Sequence, residues 1–162
     1  MENFAVQFKK VGFSAEADFS QLEAPLKRVG LVLLENVENA EISVVPLPDR
    51  PPDLPPVEGF DVYGYVEISV SIPEELIARA ELEFSLPRSL IEARGVIENS
   101  VRLFRFHSGG WQELPTSKIR ENGKEILFRA ITPGFSTFAY AYVSSEFLYE
   151  GQTSGVSGRG EL

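Results

Sequence analysis

The sequence predicts an all-β protein: a two-layer antiparallel β-sandwich, Ig-like, of about nine strands with one short helix near residues 87–94. Three observations predict it. Apolar residues alternate with polar ones at a period of two in segment after segment, the pattern of a strand with one buried face. Turn-forming residues punctuate those segments at short intervals, as they do in sandwiches. A single stretch carries both a helix start and a helix stop signal.

Taken in order, Phe4, Val6 and Phe8 alternate with polar or small residues, and Phe13, Ala15, Ala17 and Phe19 repeat the pattern. Val29 to Leu34 is a continuous apolar run of a length suited to a fully buried strand. Ile42 to Val45 is a short β-branched run. Residues 46–56 then hold six of the eleven prolines. Proline has no ladder donor, so this segment reads as an extended, polyproline-like crossover and not as a central strand. Val62 to Ile72 alternates again, with Tyr63, Tyr65, Glu67, Ser69 and Ser71 on one side. Ala80, Leu82, Phe84 and Leu86 line one face of the next strand, with Glu81, Glu83 and Ser85 opposite; Glu81 and Glu83 are expected in solvent. Pro87 to Arg94 is the helix, with Pro at its start and Gly95 just past its end. Val101–Phe106, Gly110–Leu114, Glu125–Ala130 and Ser136–Val143 complete the strands. Ser108-Gly109-Gly110 and Glu121-Asn122-Gly123-Lys124 are hairpin turns, because Asn and Gly accept positive φ cheaply.

Composition narrows the function. The 162 residues suit one domain, residues 1–149, followed by a flexible Gly/Ser-rich tail over 150–162. Fifteen basic residues against 24 acidic give a net charge of −9, which argues against nucleic acid and anionic membrane as partners. The charge is uneven: residues 46–100 carry a net −7 and residues 101–143 a net +3, so opposite surfaces could meet between copies or neighbouring domains. No run approaches the roughly 18 apolar residues of a membrane helix, and Met1 to Lys10 lacks the regions of a signal peptide. With no Cys and one His, thiol chemistry, disulfides and multi-His metal sites are excluded. His107 sits beside a turn with no nucleophile elbow in the chain, and no nucleophile, base and orienting group can be assembled. Asp49, Asp53, Glu58 and Asp61 lack calcium-loop spacing. The expectation is a protein without enzymatic activity, cofactor or metal.

Two motifs stand out. Val101 to Thr116 reads as a strand, a turn, Trp111 and then Leu114-Pro115-Thr116; Ile131 to Ala139 contains Thr132-Pro133-Gly134-Phe135-Ser136 and Phe138. Together with Tyr63-Gly64-Tyr65 and the strand from Ala80 into Pro87, these occur in the order of the archaeal PGF-pre-PGF domain, which the chain resembles over roughly residues 10 to 143. A fainter likeness to ZU5-type β-domains lies in the Trp hairpin and the Phe-Ser-x-Phe-Ala ending. The resemblance implies a non-enzymatic structural or adhesive module of an archaeal cell-surface, S-layer-associated protein. It implies an extracellular location and contacts with neighbouring domains, other envelope proteins or a second copy.

The motifs also have a purely physical reading. Pro133 fixes φ and Gly134 allows a sharp or left-handed turn. Phe135 and Phe138 would both reach the core if a bulge lay between them. Trp111 is either a core anchor or an exposed platform for sugar. Tyr140 and Tyr142 share one face of the last strand; if that face is outward, Trp111, Tyr140 and Tyr142 form a carbohydrate-binding platform, the alternative function. Melting in EDTA should match melting in buffer, and reductant should change nothing, because no thiolate or soft-ligand constraint exists to remove. A drop of several degrees that calcium restores would locate a cation site around Asp49, Asp53 and Asp61.

Overall fold

The computed structural model describes residues 4–8, 12–37 and 39–145, with side chains from Ser14 onward. The tail expected at 150–162 and the side chains of Phe4, Val6, Phe8 and Phe13 lie outside these. In chain order the elements are β1 (Phe4–Phe8), β2 (Gly12–Asp18), β3 (Leu26–Val37), β4 (Ala40–Leu47), β5 (Asp61–Val70), β6 (Ile77–Pro87), α1 (Arg88–Arg94), β7 (Arg102–His107), β8 (Gly110–Glu113), β9 (Thr116–Glu121), β10 (Glu125–Thr132) and β11 (Thr137–Tyr142). Single 3-10 turns span Glu74–Leu76 and Glu98–Ser100.

Two antiparallel sheets face each other. The larger has the order β1-β4-β5-β11-β7-β8 and the smaller β2-β3-β6-β10-β9. This is a β-sandwich, with eleven strands among the described residues where about nine were expected. Ten of them answer to segments read from the sequence; the one not foreseen is β9, whose sequence Thr-Ser-Lys-Ile-Arg-Glu carries almost no apolar signal because it is an edge strand.

The inner faces interlock through aromatic rings. Phe84 of β6 stacks on Phe128 of β10 at 5.6 Å, and the Tyr140 ring of β11 meets Phe84 from the opposite sheet at 5.2 Å. Such pairs add to the large area each ring buries. The apolar run in β3 is not buried on both faces: Val32 and Leu34 are 47% and 62% exposed, while Val29, Leu31 and Leu33 are buried. Ordinary alternation holds there: among the described residues the outer face of β3 is open at those positions.

The Pro-rich segment also departs from expectation. Residues 48–60 connect β4 to β5, which are direct neighbours in one sheet. The segment is therefore a long hairpin loop and not a crossover between sheets. It lies over the outer face of the larger sheet, where Val57 and Phe60 pack with Leu47, Val62, Tyr65, Phe104, Trp111, Ala139 and Ala141 in a second apolar cluster.

α1 begins immediately after Pro87, which is extended and serves as its N-cap, and ends at Gly95 in the left-handed region (φ 60°). A Cβ on Gly95 would also run into the Ser145 hydroxyl. Seven residues make a helix too short to persist alone; Leu90 and Ile91 hold it against the core.

Phe128→Ala should lower stability by about 3–5 kcal/mol in a denaturant melt, since it removes one ring of an interlocked, fully buried pair. Val32→Ala, at a position the apolar run alone would place in the core, should stay within about 0.5 kcal/mol of wild type.

Candidate functional site

The structure disperses the expected ligand platform. Tyr140 and Tyr142 are each 2% exposed and belong to the main core, pointing inward with Phe138. The outward residues of β11 are the small Ala139 and Ala141, and the Pro-rich loop covers them. The platform reading for Tyr140 and Tyr142 is therefore wrong, because the alternation of β11 places its bulky residues inside. Burial pushes the Tyr140 phenol far above its ordinary range; its hydroxyl faces the Leu26 backbone at the margin of hydrogen-bonding geometry.

Trp111 belongs to neither the main core nor an open surface. Its ring is half-buried, edge-on to Phe106 at 5.2 Å and tilted against Tyr65 at 6.1 Å. Its indole N–H donates to the Pro55 carbonyl at 2.7 Å. A loop rich in proline has few N–H groups of its own to offer, so a side-chain donor from the neighbouring hairpin ties it down.

The two motifs turn out to be two of the corners at which the chain changes sheets. Between β8 and β9 the chain passes from the larger sheet to the smaller through Leu114-Pro115-Thr116. Leu114 is buried and its N–H donates to Leu103 carbonyl at 2.9 Å; the Thr116 hydroxyl accepts from Leu103 N–H at 3.0 Å and donates to Leu114 carbonyl. Side chain thus continues the ladder where the backbone turns away. The exposed Pro115 offers its carbonyl to Ile131 N–H at 3.0 Å.

Thr132 to Ser136 makes the return corner, from β10 to β11. The buried Thr132 hydroxyl donates to Gly134 carbonyl at 2.7 Å, Ser136 hydroxyl donates to Phe106 carbonyl at 2.6 Å, and Ser136 carbonyl accepts from Ile68 N–H. Pro133 is exposed. Phe138 is fully buried, whereas Phe135 is only partly so and meets Phe138 edge-on at 6.5 Å. No bulge separates them: Phe135 precedes β11, and the register shift of that strand falls at Tyr140/Ala141.

Gly134 is needed for space and not for a left-handed turn, since its φ is not positive. A Cβ there would collide with the Glu74 carboxylate and lie 2.8 Å from an Arg105 nitrogen. Arg105, 4% exposed on β7, donates to Glu74 at 3.0 Å, so an ion pair closes directly over the glycine. The Arg105 Nε is buried without a partner among the described residues. Neither Arg105 nor Glu74 stood out in the sequence; a charged residue at an inward position of β7 was the available signal.

On the smaller sheet the expectation for Glu81 and Glu83 also fails. They share the outer face, but Glu83 is 7% exposed, held by Arg28 at 3.0 Å and Arg129 at 3.3 Å. Glu16 continues the row from β2, 3.1 Å from Arg28, and that guanidinium holds the Glu16 carboxyl below the usual range. Glu81 reaches Arg129 at 3.5 Å and contacts Arg79. The acids and bases therefore form a ladder across four strands. His107 is exposed at its turn, away from any grouping of this kind. Comparison of the chain with protein-family models and with curated proteins finds no match.

Gly134→Ala should cost about 1–3 kcal/mol, because the new methyl evicts Glu74 and leaves Arg105 buried without its carboxylate; the half-exposed Glu74 keeps the figure at that modest level. With Glu74→Ala already present, the same substitution should cost clearly less. Strictly additive losses in the double-mutant cycle would refute the over-the-glycine contact.

Proposed function

We propose that this β-sandwich is a non-catalytic structural or adhesive module of a cell-surface protein, as the resemblance to archaeal PGF-pre-PGF domains implies, and that it makes protein–protein contacts in the envelope. The observation that supports this most is the use to which the shared motifs are put. Leu114-Pro115-Thr116 and Thr132 to Phe138 form two of the inter-sheet corners, and Trp111 pins the covering loop. Residues that a family shares for catalysis converge on a cleft. Here they are distributed over the frame, which is what a module selected for its shape requires.

Neighbouring domains of the same chain, other envelope proteins and a second copy are the partners this reading admits. Protease added to intact cells that express the full chain should degrade it, and lysis should not be needed. Full protection on intact cells, with degradation only after lysis, would rule out a surface module.

A further inference from the structure

We propose that the groove where the β2–β3 loop meets the ends of β4 and β6 and the start of β5 binds a neutral glycan, with Tyr63 as its stacking platform. The groove has a volume of about 510 Å³, within the range of small-ligand sites. This goes beyond the structural reading, because a scaffold module can hold its place without binding sugar.

The platform comes from a break in strand pairing. Gly64 pairs with Tyr140 and Val62 with Ala141, so Tyr63 is the extra residue of a bulge between β5 and β11. Bulges re-aim a side chain out of the regular alternation. Tyr63 is 40% exposed as a result, the one large aromatic so exposed among the described residues. Gly64 beside it leaves the groove without a side chain at that point; a Cβ there would sit 3.9 Å from the Tyr140 ring. Pro46 and Pro48 supply rigid apolar walls with no N–H groups.

The polar groups choose the ligand. Lys27 is a donor, while Glu23 and Glu125 are acceptors, and all three line the same groove. A pyranose matches this set, because each hydroxyl both donates and accepts and its C–H face stacks on an aromatic ring. A polyproline peptide also favours aromatic grooves. It offers only carbonyl acceptors, however, and would set them against two carboxylates. An acidic glycan is disfavoured by those carboxylates and by a chain of net charge −9. The observations therefore favour an uncharged sugar chain.

Titration of the full chain with cellohexaose, maltohexaose, mannohexaose and, as a contrast, decaproline tests this. Calorimetry gives the affinity. Trp111, the only Trp, lies against Tyr65 of the groove, so its fluorescence gives an independent signal. At least one hexasaccharide should bind saturably. Tyr63→Ala should weaken it about tenfold or more, with the melting temperature unchanged, and Tyr63→Phe should retain most of the affinity. Lys27→Met and Glu125→Gln should each weaken binding several-fold. No saturable binding to any of the three sugars, equal binding by Tyr63→Ala, or binding of decaproline alone would overturn the proposal.

Discussion

β11 lies between β5 and β7 in the larger sheet and must be covered on both faces, and much of the molecule follows from how that is done. Its inward residues, Phe138, Tyr140 and Tyr142, are large and fill the space between the sheets. Its outward residues, Ala139 and Ala141, are small and pack in one cluster with Val57 and Phe60 of the 48–60 loop. A loop in that position cannot be secured mainly by its own backbone, since proline removes the donors. The indole of Trp111 supplies one from outside, and Phe60 meets Phe104 edge-on at 5.0 Å. The proline content, the alternating Ala residues and the single Trp thus answer one constraint. A buried strand with polar outward residues would have left that face needing partners the loop does not have.

The second requirement is that the chain change sheets without stranding backbone groups. At the β8–β9 and β10–β11 corners hydroxyls take over hydrogen bonds from the interrupted ladder: Thr116 at the first, Thr132 and Ser136 at the second. Hydroxyls suit this task because they donate and accept from one atom. The return corner also carries a charge. Arg105 occupies an inward position that the pattern of β7 would give to an apolar residue, and Glu74 meets it across Gly134. A buried guanidinium is costly unless paired, so glycine at 134, glutamate at 74 and arginine at 105 depend on one another.

Much of this architecture was legible in the sequence, because strand alternation and turn residues act locally. The helix ends at Gly95 as its stop signal indicated, and the Ser108-Gly109 and Asn122-Gly123 turns both form hairpins. Ser108 and Gly109 take φ of 54° and 79°, whereas Asn122 and Gly123 do not take positive φ; the Asn122 side chain instead accepts from Lys124 and Glu125 N–H. What failed was the assignment of faces. Period two says that Tyr140 and Tyr142 lie together, not which side is covered, and a strand sheltered on both sides gives no polar face to decide it. The Ala residues at 139 and 141 were the missed clue, since small side chains mark a close approach. The burial of Glu83 was illegible for a different reason: its partners, Arg28 and Arg129, are 55 and 46 residues away in the chain. β9 was hidden because an edge strand needs little apolar character.

These coverings also decide where a partner could engage the domain. The proline loop closes much of the outer face of the larger sheet, and the row from Glu16 through Arg28 and Glu83 to Arg129 occupies much of that of the smaller. Charges held in such a row already have their counter-ions, so a partner docking there would have to replace contacts before gaining any. Edges and seams carry a smaller penalty. β9 is an edge, but its register slips against β10 and it carries Lys118 and Arg120, features that discourage strand addition. The seam near Tyr63 is different: it joins an exposed ring to donors and acceptors on a rigid wall. A module closed on its broad faces can still present one such position without loosening its core, because the bulge that exposes Tyr63 leaves Gly64 and Val62 in the ladder on either side.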